Sequence, residues 1–302
     1  MQKHAQAMVL AAFTADSFAL GSHWIYDTQK IDQQFGRITT LLAPQEGSYH
    51  PTKKSGDFTH YGDQSYHLLA YLATHGGNFD RDAYGLAWQS FITKYQGYKD
   101  HAMQKTLQNL TDGKERTSCG SDSTDLGGPA QIAPLIYCYR ENLAGLLDAV
   151  TAFTSLTHCG PGVIGGALFL ARSCYSILHG ATPKEAFSQA INQSTESMEL
   201  DLRLQKCLEP ADTAPRQQIK AFGQMCAIKA ALPGAVYTVL QHEDNLVEAL
   251  IETVMAGGDS AARGMVVGMI LGAYHGLDKI PSRWLLKLNR YEQIRAALDT
   301  LA

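Results

Sequence analysis

The chain has 302 residues, 45% of them hydrophobic and 18% charged, with a formal net charge of −4. That is ample material for a large core, and there is no run of lysine and arginine to hold a nucleic-acid backbone or an anionic membrane. The 6 cysteines are dispersed without a Cys-x-x-Cys pair, so reduced thiols in a soluble, cytoplasmic protein are expected, and no apolar stretch approaches the ~20 residues of a bilayer span.

Residues 5–20 read as a buried helix, with Met8, Ala11, Ala12, Ala15, Phe18 and Ala19 as close-packing positions. The apolar run Ala7 to Phe13 follows Lys3 and His4 as in a signal peptide, but Asp16 and the continuing helical pattern break that likeness. Gly21 stops the helix, and Ser22-His23-Trp24-Ile25-Tyr26-Asp27 forms an aromatic-polar loop. From 36 to 62 no period is sustained; a loop of that length is functional or poorly ordered. Its Tyr49, His50, Phe58, His60 and Tyr61 favour an ordered loop near a ligand. The helical pattern resumes at Asp63 and again over 80–95, and residues 97–126 read as a polar segment ending in TSCGSDSTDLGGPAQIAP. A buried helical turn is expected over 135–139, then helices at 142–157, 162–179, 183–194, 198–207, 217–230, 235–241 and 245–256.

The most informative stretch is Ala256 to Gly276, AGGDSAARGMVVGMILGAYHG. Asp259 is a good N-cap, and Gly264, Gly268, Gly272 and Gly276 recur every fourth residue, along one helix face. Glycine costs about 1 kcal/mol per helical position against alanine, so such a stripe implies close backbone packing inside the core. Pro281 precedes a last pair of amphipathic segments. Strand signals are scarce and no Pro/Ser-rich linker divides the chain, so a single all-α domain over 1–302 is expected.

Polar residues gather at helix starts and flanking loops: Asp16 to Asp27, Thr59 to Gln64, Ser118 to Gln131, Thr157-His158 and Gly257 to Arg263. Helix N-termini offer N–H groups to phosphates, and carboxylates there offer oxygen to divalent cations. Taken singly, each has a plain explanation. Asp63 and Asp259 read as helix caps, Thr157-His158 as a buried pair, and Asp122 and Asp125 as loop charges. There is no P-loop, dinucleotide fingerprint, His-Glu-x-x-His or Gly-x-Ser-x-Gly.

The order of these clusters resembles the ADP-ribosylglycohydrolase family, an all-helical fold whose active members place two magnesium ions between helices. AAFTADSFALG resembles its opening Gly-Asp-Ala-x-Gly helix, YGDQSYHLLAYL its Thr-Asp-Asp-Thr helix start, and LGGPAQIAP the segment leading into Met-Arg-Ile-Ala-Pro. LTHCGPGVIGGALFLA resembles its Thr-His helix entry and AALPGAVYTVL its Leu-Pro element. MAGGDSAARGMVVGMILGAYHG resembles the Gly-Gly-Asp-x-Asp-Thr helix, followed by IPSRW for Ile-Pro-x-x-Trp. The chain departs from the metal ligands. Gly62, Asp63 and Gln64 stand for Thr-Asp-Asp; Asp259, Ser260, Ala261 and Ala262 stand for Asp-x-Asp-Thr; the glutamate beyond the first helix is replaced around His23. Magnesium demands a near-octahedral oxygen shell. What the resemblance leaves is at most one Mg²⁺, at Asp63 and Asp259.

The resemblance implies a hydrolase acting on an N- or O-glycosidic bond of an ADP-ribosyl or related ribosyl substrate. An oxocarbenium-like transition state needs a carboxylate near the anomeric carbon and an activated water. Asp16, Asp63 and Asp259 are the candidate carboxylates, and His23 the proton donor or acceptor. Trp24, Tyr26, His60 and Tyr61 are placed to contact a base or ribose, and the Gly127-Gly128 backbone to approach phosphate. His158 joins the ligand set. Arg263, four residues after Asp259, is the candidate replacement for the lost metal charge, binding a phosphate or carboxylate bidentately. The competing expectation is a non-catalytic ligand-binding or structural member, because an eye-lens crystallin branch has also strayed from the metal ligands and a fold acts only through its sites.

Overall fold

A computed structural model describes residues 1–302. Its helices are α1 (Gln2–Ala19), α2 (Thr28–Phe35), α3 (His60–Thr74), α4 (Arg81–Lys94), α5 (His101–Thr111), α6 (Gly127–Ala130), α7 (Ala133–Cys138), α8 (Leu143–Thr157) and α9 (Pro161–Leu178). They continue with α10 (Pro183–Ala190), α11 (Met198–Cys207), α12 (Pro215–Phe222), α13 (Ile228–Gln241), α14 (Leu246–Met255), α15 (Ser260–His275), α16 (Ser282–Leu285) and α17 (Tyr291–Thr300). Local chemistry starts most of the long ones. Side chains of Asp27, Thr59, Asp80, Asp100, Asn142, Ser197, Asn245 and Asp259 each accept a bond from a first-turn N–H, and Thr182 with Glu185 closes a full capping box. Asp259 is therefore a cap, as its sequence position implies. Asp63 is not: Thr59 caps α3 and Asp63 lies one turn in.

The centre is α1 laid antiparallel on α15, with α9, α13 and α14 around them. The glycine stripe makes this seam. A Cβ at Gly264, Gly268 or Gly272 would lie 3.4 Å from the carbonyl oxygen of Ala15, 2.5 Å from that of Ala11 and 2.7 Å from that of Ala7. Small residues thus face small residues along two full turns. Gly276 is not part of the stripe; it ends α15 with φ +80°. Helix α9 has 18 residues and is apolar enough to cross a membrane by length and composition, but 61% of it is buried inside the fold, where it packs on α8, α10 and α15.

Several elements differ from the sequence pattern, which has no counterpart of α2 and runs α10 on to 194 where it ends at Ala190. The expected helix at 217–230 is broken after Phe222 by Gly223 at φ +110°, and α13 begins at Ile228 and runs through Pro233. The polar segment 97–126 contains α5, whose buried face is Ala102, Met103, Thr106 and Asn109. Two of those four are polar, so the face leaves little hydrophobic period.

Between the helices, short extended segments pair edge to edge. Trp24 N–H donates to Gly258 O (2.9 Å) and Gly258 N–H to Ile25 O (2.8 Å); Asp259 N–H donates to Gln224 O (2.9 Å). Leu126 N–H donates to Cys226 O (2.8 Å) and Ile228 N–H to Thr124 O (2.7 Å). Ser121 N–H donates to Thr157 O (2.8 Å) and Cys159 N–H to Ser121 O (3.0 Å). This belt stitches together four of the polar clusters, and the fifth joins through Thr59 bound to Asp16.

Candidate functional site

Asp259 is the hub. From the N-cap of α15, fully buried, it takes His23 Nε2 at 3.0 Å on Oδ1 and the Tyr61 hydroxyl at 3.3 Å on Oδ2, besides its cap bond from Ala262 N–H. His23 Nδ1 lies 3.0 Å from His50 Nε2, and the two rings are nearly parallel. Burial holds His23 below its ordinary pKa despite the support of Asp259, and burial with the neighbouring His23, His60 and Lys53 pushes His50 down to about 2. Both imidazoles are therefore neutral.

A second pair lies near the Tyr61 ring, across Gly127. His158 Nε2 lies 2.9 Å from Asp125 Oδ1, which also accepts from Gly127 N–H, while Ser123 Oγ donates to Oδ2. Thr157 Oγ1 lies 2.8 Å from His158 Nδ1. Burial opposes both charges, but each supports the other. His158 is raised and the Asp125 carboxyl held below the usual carboxylate range, helped by Ser123 and Gly127. A Cβ at Gly127 would lie 2.3 Å from the Tyr61 ring and one at Gly128 2.6 Å from His158 Nδ1. These glycines make room for side chains; both are buried, and the Gly127 N–H is committed to Asp125, so they do not present a phosphate cradle.

The remaining candidates separate. Asp16, fully buried, accepts Thr59 N–H at 2.7 Å and Thr59 Oγ1–H at 2.5 Å, and anchors the start of α3. Asp63 is bonded to the Lys53 ammonium and to the Tyr95 hydroxyl (2.5 Å). It shares no partner with Asp259. A cavity of about 540 Å³ opens beyond this pair, lined by Tyr66, His67, Phe91 and Arg290 among others. His60 is buried with its ring 3.9 Å from that of Tyr61. Its Nε2 lies 3.2 Å from Asp100 Oδ2 but off the hydrogen-bonding direction, so neither ring nitrogen has an aligned partner.

At the rim, Trp24 stacks on His23 at 4.2 Å and is held at φ +66°, a strained value for a bulky residue. Trp24, Tyr49 and Tyr98 meet edge to face at 4.9–5.5 Å. Tyr26 is 49% and Tyr49 56% exposed. The 36–59 loop is ordered, pinned by Trp284 Nε1 to Thr39 O, Ser55 Oγ to Leu41 O and Asn289 N–H to Gly56 O. It packs on Trp24 and brings His50 to His23 and Lys53 to Asp63; the sequence pattern names His50 only as a loop residue near a ligand, gives Lys53 no role, and gives Asp125, the partner of His158, only that of a loop charge. The available signal was an aromatic- and histidine-rich loop.

Arg263 is corrected most. It is 0% exposed, and its Nη2 donates to the carbonyls of Thr253 and Gly257, with no carboxylate contact; burial lowers its pKa to about 10. It braces the turn that presents Asp259 through Nη2, while its Nε and Nη1 are buried without a partner. Arg263→Ala is expected to cost about 3 kcal/mol through a cavity and two unsatisfied buried carbonyls, seen as a clear fall in urea midpoint. An unchanged midpoint would return Arg263 to a ligand-binding role.

The chain matches the family model for ADP-ribosylglycohydrolase over residues 1–302. It is 26% identical to Crystallin J1A of Tripedalia cystophora, over 96% of this chain and 93% of that one. It is 23% identical to the ADP-ribosylhydrolase ARH3 of Homo sapiens, over 58% of this chain and 56% of that one. A solved structure titled ADP-ribosylglycohydrolase-related protein complex superposes with a TM-score of 0.78 at 20% identity, covering 99% of this chain and 97% of that chain. The order of motifs, the helical seam and a family match running from end to end agree: this chain belongs to the ADP-ribosylglycohydrolase family.

Proposed function

We propose that this protein hydrolyses a glycosidic bond of an ADP-ribosyl or related ribosyl substrate without the paired magnesium site of its family. The observation that carries this reading is the buried Asp259–His23 pair, completed by Tyr61, with a second carboxylate–imidazole pair, Asp125–His158, close to the Tyr61 ring across Gly127. Imidazoles oriented by carboxylates in a dry site suit proton transfer to and from water and a leaving group. Trp24, Tyr26 and Tyr49 at the rim offer faces for a base or sugar.

The donor set does not fit two magnesium ions. Both Asp259 oxygens already accept bonds, Ala261 and Ala262 bring no oxygen donor in their side chains, and Asp63 is occupied by Lys53 and Tyr95. The Lys53 ammonium supplies at Asp63 the positive charge that the sequence pattern assigned to Arg263, and no single Mg²⁺ is expected to bridge Asp63 and Asp259. Six free thiols, three of them buried, accord with a reducing cytoplasm.

Calorimetric titration of ADP-ribose into chelator-treated protein is expected to give the same affinity with and without excess Mg²⁺. Binding only with Mg²⁺ would overturn metal independence, and absence of binding would move the ligand elsewhere. The non-catalytic reading has one observation of its own, the mutual packing of Trp24, Tyr49 and Tyr98 over the histidines. It is favoured if ADP-ribose binds but neither N- nor O-linked ADP-ribosyl peptides turn over.

A further inference from the structure

Helix α3 turns Asp63, Tyr66, His67 and Ala70, its i, i+3, i+4, i+7 face, toward the cavity of about 540 Å³. Phe91 and Tyr95 close that cavity from the end of α4, Lys53 and Asp57 from the loop, and Arg290 from the turn before α17. Its charges cancel, because Lys53 and Arg290 oppose Asp57 and Asp63. Burial pushes His67 down to about 4, so that ring is neutral. An ionic ligand would meet a like charge for each opposite one.

Hydrogen-bonding capacity is nevertheless left over. Lys53 and the Tyr95 hydroxyl both bond Asp63 Oδ2, which leaves Oδ1 free to accept and other ammonium hydrogens free to donate. The Arg290 guanidinium lies over the Tyr66 ring at 4.6 Å, and no hydrogen bond or ion pair takes its N–H groups. The Lys53 and Asp63 side chains are 15% and 13% exposed, so a ligand reaches both. Aromatic faces stand between these polar groups, with Phe91 5.3 Å from Tyr95. A second hollow of about 540 Å³ shares Phe91, Tyr95 and Gln96 and continues along α4 past Ser90 and Lys94.

We propose that this cavity and its outer extension bind a neutral saccharide of two or more rings, at a site separate from the Asp259 hub. A sugar ring has two kinds of surface. Its C–H face packs on the electron-rich face of an aromatic ring, here Tyr66, Phe91 or Tyr95. Its hydroxyl edge both donates and accepts, which suits Asp63 Oδ1 together with Lys53 and Arg290. A mixed set of donors and acceptors with no net charge selects such a ligand over a phosphate or an ammonium. The site does not depend on the hydrolase reading above.

Amide chemical-shift titration with maltose, cellobiose, lactose, xylobiose and diacetylchitobiose tests the proposal. At least one probe is expected to bind with a Kd of about 1 mM or tighter, moving the amides of Ala70 and Gly97 in the cavity but not that of Gly258 at the hub. The affinity should be the same at about 20 and about 500 mM NaCl, because no net charge is screened. Tyr66→Ala should weaken binding about tenfold or more by removing a face. Arg290→Gln should stay within about threefold of wild type, since its amide still donates and the lost charge is exposed. No shift at Ala70 or Gly97 with any probe at about 50 mM overturns the site. Inorganic phosphate moving the same amides, and ceasing to do so in Arg290→Gln, overturns the neutral ligand in favour of an anion. Displacement of the sugar by ADP-ribose overturns the separation from the hub.

Discussion

Replacing Gly268 with alanine is expected to destabilise the protein, whereas the same change at Gly264 stabilises it. In an ordinary helix both would gain about 1 kcal/mol from propensity. At Gly264 the added Cβ meets Ala15 O at 3.4 Å, an ordinary contact, and the gain survives. At Gly268 it would stand 2.5 Å from Ala11 O and 3.0 Å from Ala15 Cβ, and the obstacle is backbone that cannot rotate away. Prising α1 from α15 costs about 1–3 kcal/mol for alanine, and a bulkier Gly268→Val is expected at the top of that range or beyond. Urea unfolding with unchanged slope separates the cases. Equal gains at both positions would mean that the seam is not closed.

Stability is expected to fall as pH rises from about 4 to about 6, with Asp16 as the cause. Burial raises its folded pKa from 3.8 to about 6, the Thr59 bonds only partly offsetting this. The sign follows from linkage. Above its unfolded pKa the folded state holds a proton that the unfolded state has lost, so the stabilisation present below pH 3.8 disappears as pH passes through about 6. A shift of about two pH units corresponds to roughly 3 kcal/mol. Asp16→Asn, a near-isostere of the neutral acid, should flatten this part of the profile and be more stable than wild type at pH 8. A wild-type profile that stays flat from pH 4 to 7 would refute the assignment.

The fold was largely legible because its signals are local or periodic. The stripe of Gly264, Gly268 and Gly272 pointed to a buried helix with a close neighbour, and Asp259 caps α15 as expected, whereas α3 starts at His60 on a Thr59 cap and not at Asp63. The α5 helix escaped notice because Thr106 and Asn109 occupy half of its buried face. The candidate site was legible as residue types but not as pairings. His23, Tyr61 and Asp259 do converge, yet Asp63 turns away to Lys53, ten residues earlier in a segment without period. Arg263 illustrates the limit most directly. An arginine one turn after an aspartate reads as a charge offered to a ligand, and only the three-dimensional structure reveals that it is fully buried with its Nη2 on the carbonyls of Thr253 and Gly257.

The α1–α15 seam has a further consequence for how the chain reaches its native state. His4 Nδ1 bonds the carbonyl of Ala273, 269 residues away in sequence, so the central helix pair joins segments far apart along the chain. Closing so long a loop is paid in chain entropy before any contact rewards it. During synthesis α1 emerges with its small-residue face unmatched and stays so until α15 has been made. The belt beneath Asp259, built from segments near residues 24, 124, 226 and 258, has to wait as well. The polar hub around Asp259 therefore assembles only once α15 is in place, and truncations short of α15 should yield no partial hub.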